Sequence, residues 1–304
     1  MKRRRSLAAL FIALLLTAVC LHPRLARMWA RCAALPALRL LSAATMRLPF
    51  ALMEWGLVSF CALALSAAAR RWLRRGPFAA LRLLGRRLTG LALALIFSLL
   101  ALWLPLYRVV ETPVYAASKE QLLASCAALI DALNETELDF SNPPEALPAK
   151  RISFPFWMRA FGIMGFFAFP TGEALISPEL ADSAAPFVAV HEAMHAQGHA
   201  GEGAANIAAW EECISRGGVY ADSARLWALK YSMEAVYDFD PQAYARLRQR
   251  MHESTFAAYR EVGGGRRNRE SGRGAQAVFS ALGVGDAAGD YEILAVYLAS
   301  RQAV

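Results

Sequence analysis

The chain has 304 residues, 57% of them hydrophobic and only 19% charged, with a formal net charge of +8. That length suits one or two domains with a sizeable core, and a mean hydropathy of +0.31 excludes a disordered chain and exceeds what an ordinary soluble domain carries. The charge is split: 17 of the 33 Lys/Arg but only one of the 25 Asp/Glu, Glu54, fall in residues 1–110, a net of +16, and the remainder carries −8. Long uncharged runs separate the arginines of the first part, which excludes a nucleic-acid-binding arm and points to a partner of another kind, the lipid bilayer.

Three such runs come first in chain order: Ser6–Pro23, Leu48–Ala69 (interrupted only by Glu54) and Leu88–Tyr107. Each approaches the ~20 residues a helix needs to cross ~30 Å of hydrocarbon, so transmembrane helices are expected at about 6–23, 48–69 and 88–107. Lys2–Arg5 would also suit a signal peptide, but no convincing small-x-small cleavage site follows, and the first run is read as an uncleaved anchor. With the N-terminus and second loop in the cytoplasm, eleven basic residues lie inside against five in the first loop. This orientation puts residues 111–304 outside a plasma membrane that the chain crosses several times. Met28–Arg47, apolar with spaced arginines, is expected to lie in the membrane interface. Glu54 is either functional at its depth or solvated near the headgroups.

The acidic half, residues 111–304, reads as a second domain. Tyr115–Glu135 is an expected helix, opened by the capping-box pair Ser118 and Gln121 and carrying an apolar stripe. Ala160–Phe169 and Glu173–Ile176 are the most plausible strands, separated by the Pro170-Thr171-Gly172 turn. Helices follow at Ala184–Gly198, Glu202–Arg216, Tyr220–Asp238 and Pro241–Val262, the last with Asp240 as N-cap. Gly263–Gly274 reads as a basic, flexible loop, and a short helix near Asp290–Arg301 closes the chain. Of the five cysteines, only Cys126 and Cys213 lie in this half; both sit on helical patterns and are expected as free buried thiols rather than a disulfide. The fold class is mainly α with a small β element (α+β): three transmembrane helices over 1–110, then a helical domain with a short antiparallel sheet over 111–304.

Three of the five histidines fall within nine residues: His191, His195 and His199. His191 and His195 share a helix face with spacing suited to one Zn²⁺, and Glu192 stands beside them, where a carboxylate takes a proton from metal-bound water. This is HExxH, the signature of zinc-dependent hydrolysis. The apolar run before it sends the helix into a core, where unpartnered imidazoles would be costly. An open tetrahedral site needs a third protein ligand. Glu202 is out of reach on one continuous helix, ~16 Å along the axis, but glycine at 198 and 201 permits a reversal that folds it back. Glu202 is therefore the expected third ligand, with His199, Glu211 and Glu212 as alternatives, and Asn206 is placed to hydrogen-bond a ligand histidine.

Phe169-Pro170-Thr171-Gly172-Glu173, Pro186-Phe187, His191 to Gly198, Glu202 and Ala205-Asn206 resemble an uncharacterised family of multi-pass bacterial membrane proteins, catalogued as a domain of unknown function. That resemblance spans nearly the whole chain. Its members have three N-terminal spans followed by an extracytoplasmic domain with HExxH. They commonly carry an acidic residue where Ala204 stands here, a departure that favours Glu202. The two motif helices are more loosely similar to glutamate-ligated, thermolysin-like zinc metallopeptidases. This likeness implies a zincin-like domain, Glu202 as the glutamate ligand, and Asn206 where that group has aspartate. It also implies an antiparallel edge strand that binds substrate, for which Ala160–Ile176 is the candidate. Glu173 would then face the cleft or sit in a solvated turn. Tyr231, with Tyr220, Tyr237 and His252, is a candidate oxyanion donor. The expected function is a membrane-anchored zinc metallopeptidase acting on a peptide or protein substrate. The same ligands would serve hydrolysis of another amide or ester, and a membrane scaffold retaining a structural metal site is the alternative from a different class.

Overall fold

The computed structural model describes residues 12, 15–110, 115–141, 146–263 and 293–301. It is mainly helical with one small sheet. The basic half begins with α1 (Pro23–Trp29), a π-helical turn (Ala30–Ala34) and α2 (Leu35–Thr45), which run on as one bent rod. Two long helices follow, α3 (Leu52–Arg75) and α4 (Pro77–Ser98), reversed at Gly76, where φ is +79°. A second π-turn (Leu99–Trp103) and a 3-10 turn (Leu104–Arg108) extend α4. Leu52–Arg75 and Pro77–Arg108 are long and apolar enough to cross a membrane. Among the described residues there are thus two such helices, not three. The first expected span, 6–23, falls partly outside the described residues, and its residues 15–21 are helical.

The acidic half opens with α5 (Lys119–Glu135), whose capping box forms as expected: Ser118 Oγ accepts from Gln121 N at 3.2 Å and Gln121 Oε1 from Ser118 N at 2.8 Å. Then come β1 (Lys150–Arg151), α6 (Phe156–Phe161), β2 (Gly165–Ala168) and β3 (Glu173–Ile176). The sheet order is β1-β3-β2, with β1 parallel and β2 antiparallel to the buried central strand β3. The expected antiparallel pair is therefore present, but within a mixed sheet. The expected strand Ala160–Phe169 is shorter than its aromatic content suggests. Its first residues belong to α6, which buries Met158 and is closed by Gly162 in the left-handed region, φ +65°.

Five further helices make the main core: α7 (Ala185–Ala196), α8 (Glu202–Arg216), α9 (Gly218–Phe239), α10 (Pro241–Gln249) and α11 (Glu253–Glu261), with α12 (Ile293–Arg301) against them. The expected helix Pro241–Val262 is broken in two. Asn134 of α5 takes both backbone partners at the break, donating to Arg250 O and accepting from His252 N, each at 2.9 Å. A continuous helix would forgo these bonds. Most of the expected loop Gly263–Gly274 lies outside the described residues. Cys126 and Cys213 are buried free thiols, their pKa values pushed up to about 12 by burial.

The two halves are joined by buried charge rather than by a linker alone. Glu173 is fully buried and accepts from Leu52 N (2.7 Å) and Met53 N (2.8 Å), capping the first turn of α3, and from Thr171 Oγ1 (2.8 Å). Lys150 Nζ lies 2.8 Å from Glu173 Oε1 and also donates to Thr45 O (2.6 Å) and Phe50 O (2.8 Å). Glu54 reaches the other way, accepting from Ser153 N (2.8 Å) and Phe154 N (2.6 Å). Gly172, φ +70°, lets α2 lie against the turn before β3; a Cβ there would meet Ser42 N at 2.7 Å.

Burial would raise the Glu173 pKa, but hydrogen bonds from Lys150, Leu52, Met53 and Thr171 hold it below the usual carboxylate value. Its stabilisation is therefore complete above about pH 4.3 and is lost as pH falls through the depressed folded value. Glu173→Ala leaves Lys150, 11% exposed, without its carboxylate partner, a loss of up to about 3–5 kcal/mol. Thermal unfolding in detergent should show a large fall in Tm at neutral pH and a smaller dependence on pH in the acid range than wild type shows.

Candidate metal centre

The apolar run Ala185–Val190 has no polar face, so α7 is buried almost all round, packed against β2, β3, α8, α9 and α2. Ser223 of α9 fixes its start, accepting from Phe187 N at 3.2 Å while donating to Ser183 O at 2.6 Å. His191 and His195 are one turn apart near its end, with ring centroids 4.9 Å apart and planes almost perpendicular.

α7 stops at Ala196, and Gly198, with φ +105°, turns the chain. The amide of His199 returns to Met194 O at 3.2 Å, and α8 begins at Glu202. The reversal delivers the carboxylate to the histidines. Glu202 Oε2 lies 3.1 Å from His191 Nε2, and Oε1 lies 3.8 Å from His195 Nε2. One donor atom from each residue lies within 4.8 Å of the other two, a group able to hold a metal ion. His195 Nδ1 is 2.7 Å from His199 O; donation there assigns the proton to Nδ1 and leaves the Nε2 lone pair facing Glu202.

Asn206, one turn along α8, is 1% exposed. Its carboxamide nitrogen and oxygen, like His191 Nδ1, are buried with no hydrogen-bond partner among the described residues. Two alternatives for the third ligand are engaged elsewhere, Glu211 accepting from Tyr297 Oη at 2.7 Å and Glu212 pairing with Arg216 at 2.8 Å, and the ring of His199 is not part of the convergent group.

Electrostatics separate the two carboxylates. Burial would raise Glu202, but the His191 hydrogen bond and the neighbouring histidines carry it down to about 2. Glu192 has no such bond, and burial, opposed by His191 and reinforced by the Glu202 charge, pushes it up to about 8. Burial brings His195 down to about 4, whereas in His191 burial is outweighed by the Glu202 hydrogen bond together with the negative charges of Glu202 and Glu192, which raise the pKa.

Three residues passed over by sequence reasoning shape the site. Gly165 opens β2 directly against Glu192; a Cβ there would lie 2.7 Å from Glu192 Oε1 and 2.8 Å from Val188 Cγ1. Trp103, from the π-turn that extends α4, sets its ring 5.5 Å from His195 and stacks with Phe167 (5.3 Å) and Phe169 (6.1 Å). Phe167 of β2 itself lies 6.2 Å from the His195 ring. A glycine inside a strand often marks a close approach of another group, and that was the available signal; Trp103 had none.

Two expected site residues are elsewhere. Glu173 does not face a cleft or solvent, because its carboxylate is spent on Lys150 and the start of α3. Tyr231 packs in the core on Trp227 (5.7 Å), which in turn stacks on Phe187 (5.8 Å), so it is three ring contacts from His191. Tyr220 donates to Ala146 O at 3.4 Å, Tyr237 packs edge-on against Tyr244, and His252 is the N-cap of α11.

Gly198→Ala should cost about 1–3 kcal/mol, the range for a residue forced into a glycine-only backbone region, and Cβ would also meet Leu35 Cδ1 at 3.0 Å. The expected outcome is a lower Tm together with weaker retention of divalent metal in dialysis, because the same turn positions Glu202. No curated protein and no solved structure matches the chain. Residues 138–268, which carry His191, Glu192, His195, Glu202 and Asn206, match the family model described as "Protein of unknown function (DUF3810)".

Proposed function

We propose that the protein is a membrane-anchored, zinc-dependent metallopeptidase. The observation that carries the reading is the convergence of His191, His195 and Glu202 with Glu192 directly beside them. Two imidazoles and a carboxylate are the donor set of a catalytic zinc site, which keeps a fourth position open, whereas structural sites are closed by four protein ligands. His191 Nε2 lies 3.1 Å from Glu202 Oε2 and His195 Nε2 3.8 Å from Oε1, and one donor atom from each residue falls within 4.8 Å of the others, against the about 3.4 Å that tetrahedral bonds of about 2.0–2.1 Å require. His191 Nδ1 and the Asn206 carboxamide are buried without a hydrogen-bond partner among the described residues, which leaves both free for the outer hydrogen bond such ligands ordinarily have. The residues fit the ion.

When bound, zinc would lower the pKa of a water and polarise a carbonyl. The chain's own residues do the rest. Glu192 has no hydrogen-bond partner among the described residues, and burial favours its protonated form; once ionised it can accept a proton from water and return it to a leaving amine. A dication held by its neighbours would favour its ionised form. Asn206 orients His191, and the His199 carbonyl orients His195. β2 is the outer strand of the sheet and lies over Glu192, where an extended peptide could pair with its open edge. Trp103, Phe167 and Phe169 wall the site and limit water.

Metal analysis of the purified full chain should give about one zinc per chain. Replacing His191, His195 or Glu202 by Ala should abolish zinc retention, and Asn206→Ala should weaken zinc affinity by about 10–100-fold. Glu192→Gln should keep the zinc and lose peptide hydrolysis. Equal behaviour of Glu192→Gln and wild type in every cleavage assay would support the scaffold reading instead.

A further inference from the structure

The segment between β1 and β2 presents apolar side chains to the outside that the site does not use. Phe154, Phe156, Phe161 and Met164 are 40%, 66%, 64% and 37% exposed, while Met158, on the opposite face of α6, is buried among Ala51, Ile152, Ala168 and Leu175. This is an amphipathic turn with its greasy side outward, and single exposed apolar residues would need no explanation, but a cluster does.

Its position identifies what covers it. Glu54, in the first turn of α3, binds the amides of Ser153 and Phe154, and Trp55 meets the Phe154 ring at 5.7 Å. Phe154 is thus fastened to the end of a helix long and apolar enough to cross a bilayer. The exposed surface runs on from the phenylalanines through Trp55 to Leu57 and Val58 of that helix. Arg151 precedes the segment and Arg159 lies within it on α6, both partly engaged with acidic partners; long cationic side chains reach the headgroup level from such a boundary.

We infer that the Phe154–Met164 surface is seated in the outer layer of the same bilayer that α3 and α4 cross, with Phe154, Phe156 and Phe161 among the upper acyl chains. The inference rests on the membrane-spanning reading of those helices. It sets β2, whose first residue Gly165 follows Met164 and touches Glu192, at the lipid–water boundary. The partner is lipid, and the consequence is that the candidate cleft is presented to polypeptide lying along the membrane surface.

The test uses the full chain in phosphatidylcholine/phosphatidylglycerol nanodiscs, with Cys20, Cys32 and Cys61 replaced by Ala. Single cysteines are placed at Phe156, at Leu63 in the middle of α3, and at exposed Ala245 of α10, and each is labelled with an environment-sensitive fluorophore. Lipids carrying a nitroxide near the top or near the middle of the acyl chain serve as quenchers. The expected result is strong quenching of the Phe156→Cys label by the shallow nitroxide, of the Leu63→Cys label by the deep one, and no quenching at Ala245→Cys. Quenching at 63 without quenching at 156 overturns the seat and leaves the spanning reading intact. Absence of quenching at 63 removes the spanning reading, and the seat with it. Equal quenching at 245 also overturns the seat, since adsorption of the label would then account for the signal.

Discussion

The candidate centre depends on one backbone constraint, the left-handed turn at Gly198. Two histidines a turn apart on a helix provide two donors along one line, and nothing further along that helix can complete a tetrahedron, because each added turn carries the next side chain about 5.4 Å away. Ending α7 at Ala196 and reversing within a few residues exchanges that lost reach for a carboxylate arriving from the opposite direction. The same reversal leaves the His199 carbonyl free of any helix, and His195 Nδ1 takes it. Ligand position and ligand tautomer thus come from a single turn.

The basic half of the chain is built into this arrangement rather than carrying it on a tether. Glu173 caps α3, Lys150 ties the cap to the ends of the neighbouring loop, and Glu54 holds the segment before α6. On the other side, the π-turn after α4 rotates Trp103 onto His195. Trp29 stabilises that turn, its indole N–H donating to Ala101 O at 2.7 Å, a carbonyl that the π-turn's altered hydrogen bonding leaves accessible. Displacing the apolar hairpin would therefore remove one wall of the site and the cap of α3 together, so the two halves should lose structure as a unit.

What was legible in the sequence was what is encoded locally. Ser118 with Gln121, Asp240 with Pro241, and the HExxH spacing each specify a conformation within four residues, and each is found as expected. The Glu202 reading needed only one inference beyond that, a turn that glycine permits. The misreadings all involve partners distant in sequence. Ala160 and Phe161, the start of the expected strand Ala160–Phe169, end the helix Phe156–Phe161 instead, because Met158 has a core to enter and Gly162 closes the turn. Pro241–Val262 is periodic throughout, yet Asn134, more than a hundred residues earlier, captures the backbone at its middle. Glu173 sits in a turn motif that reads as solvent-facing, and only the arrival of Lys150 and the α3 amides makes burial of its charge affordable.

The acidic residues show most directly how surroundings, rather than residue type, set what a carboxylate does. Glu54, Glu173, Glu192 and Glu202 are chemically one side chain in four states, and what distinguishes them is the set of donors each meets. Glu54 and Glu173 meet backbone amides and a lysine and are spent on holding elements together. Glu202 meets two imidazoles and stays ionised to a low pH. Glu192 meets none of these and lies beside a glycine whose missing side chain leaves it room. A carboxylate without hydrogen-bond donors, buried next to an ionised one, is poor at stabilising a fold and well suited to exchanging a proton near neutrality. The cost of burying it is carried by α7, whose apolar flanks fix the helix whatever Glu192 contributes.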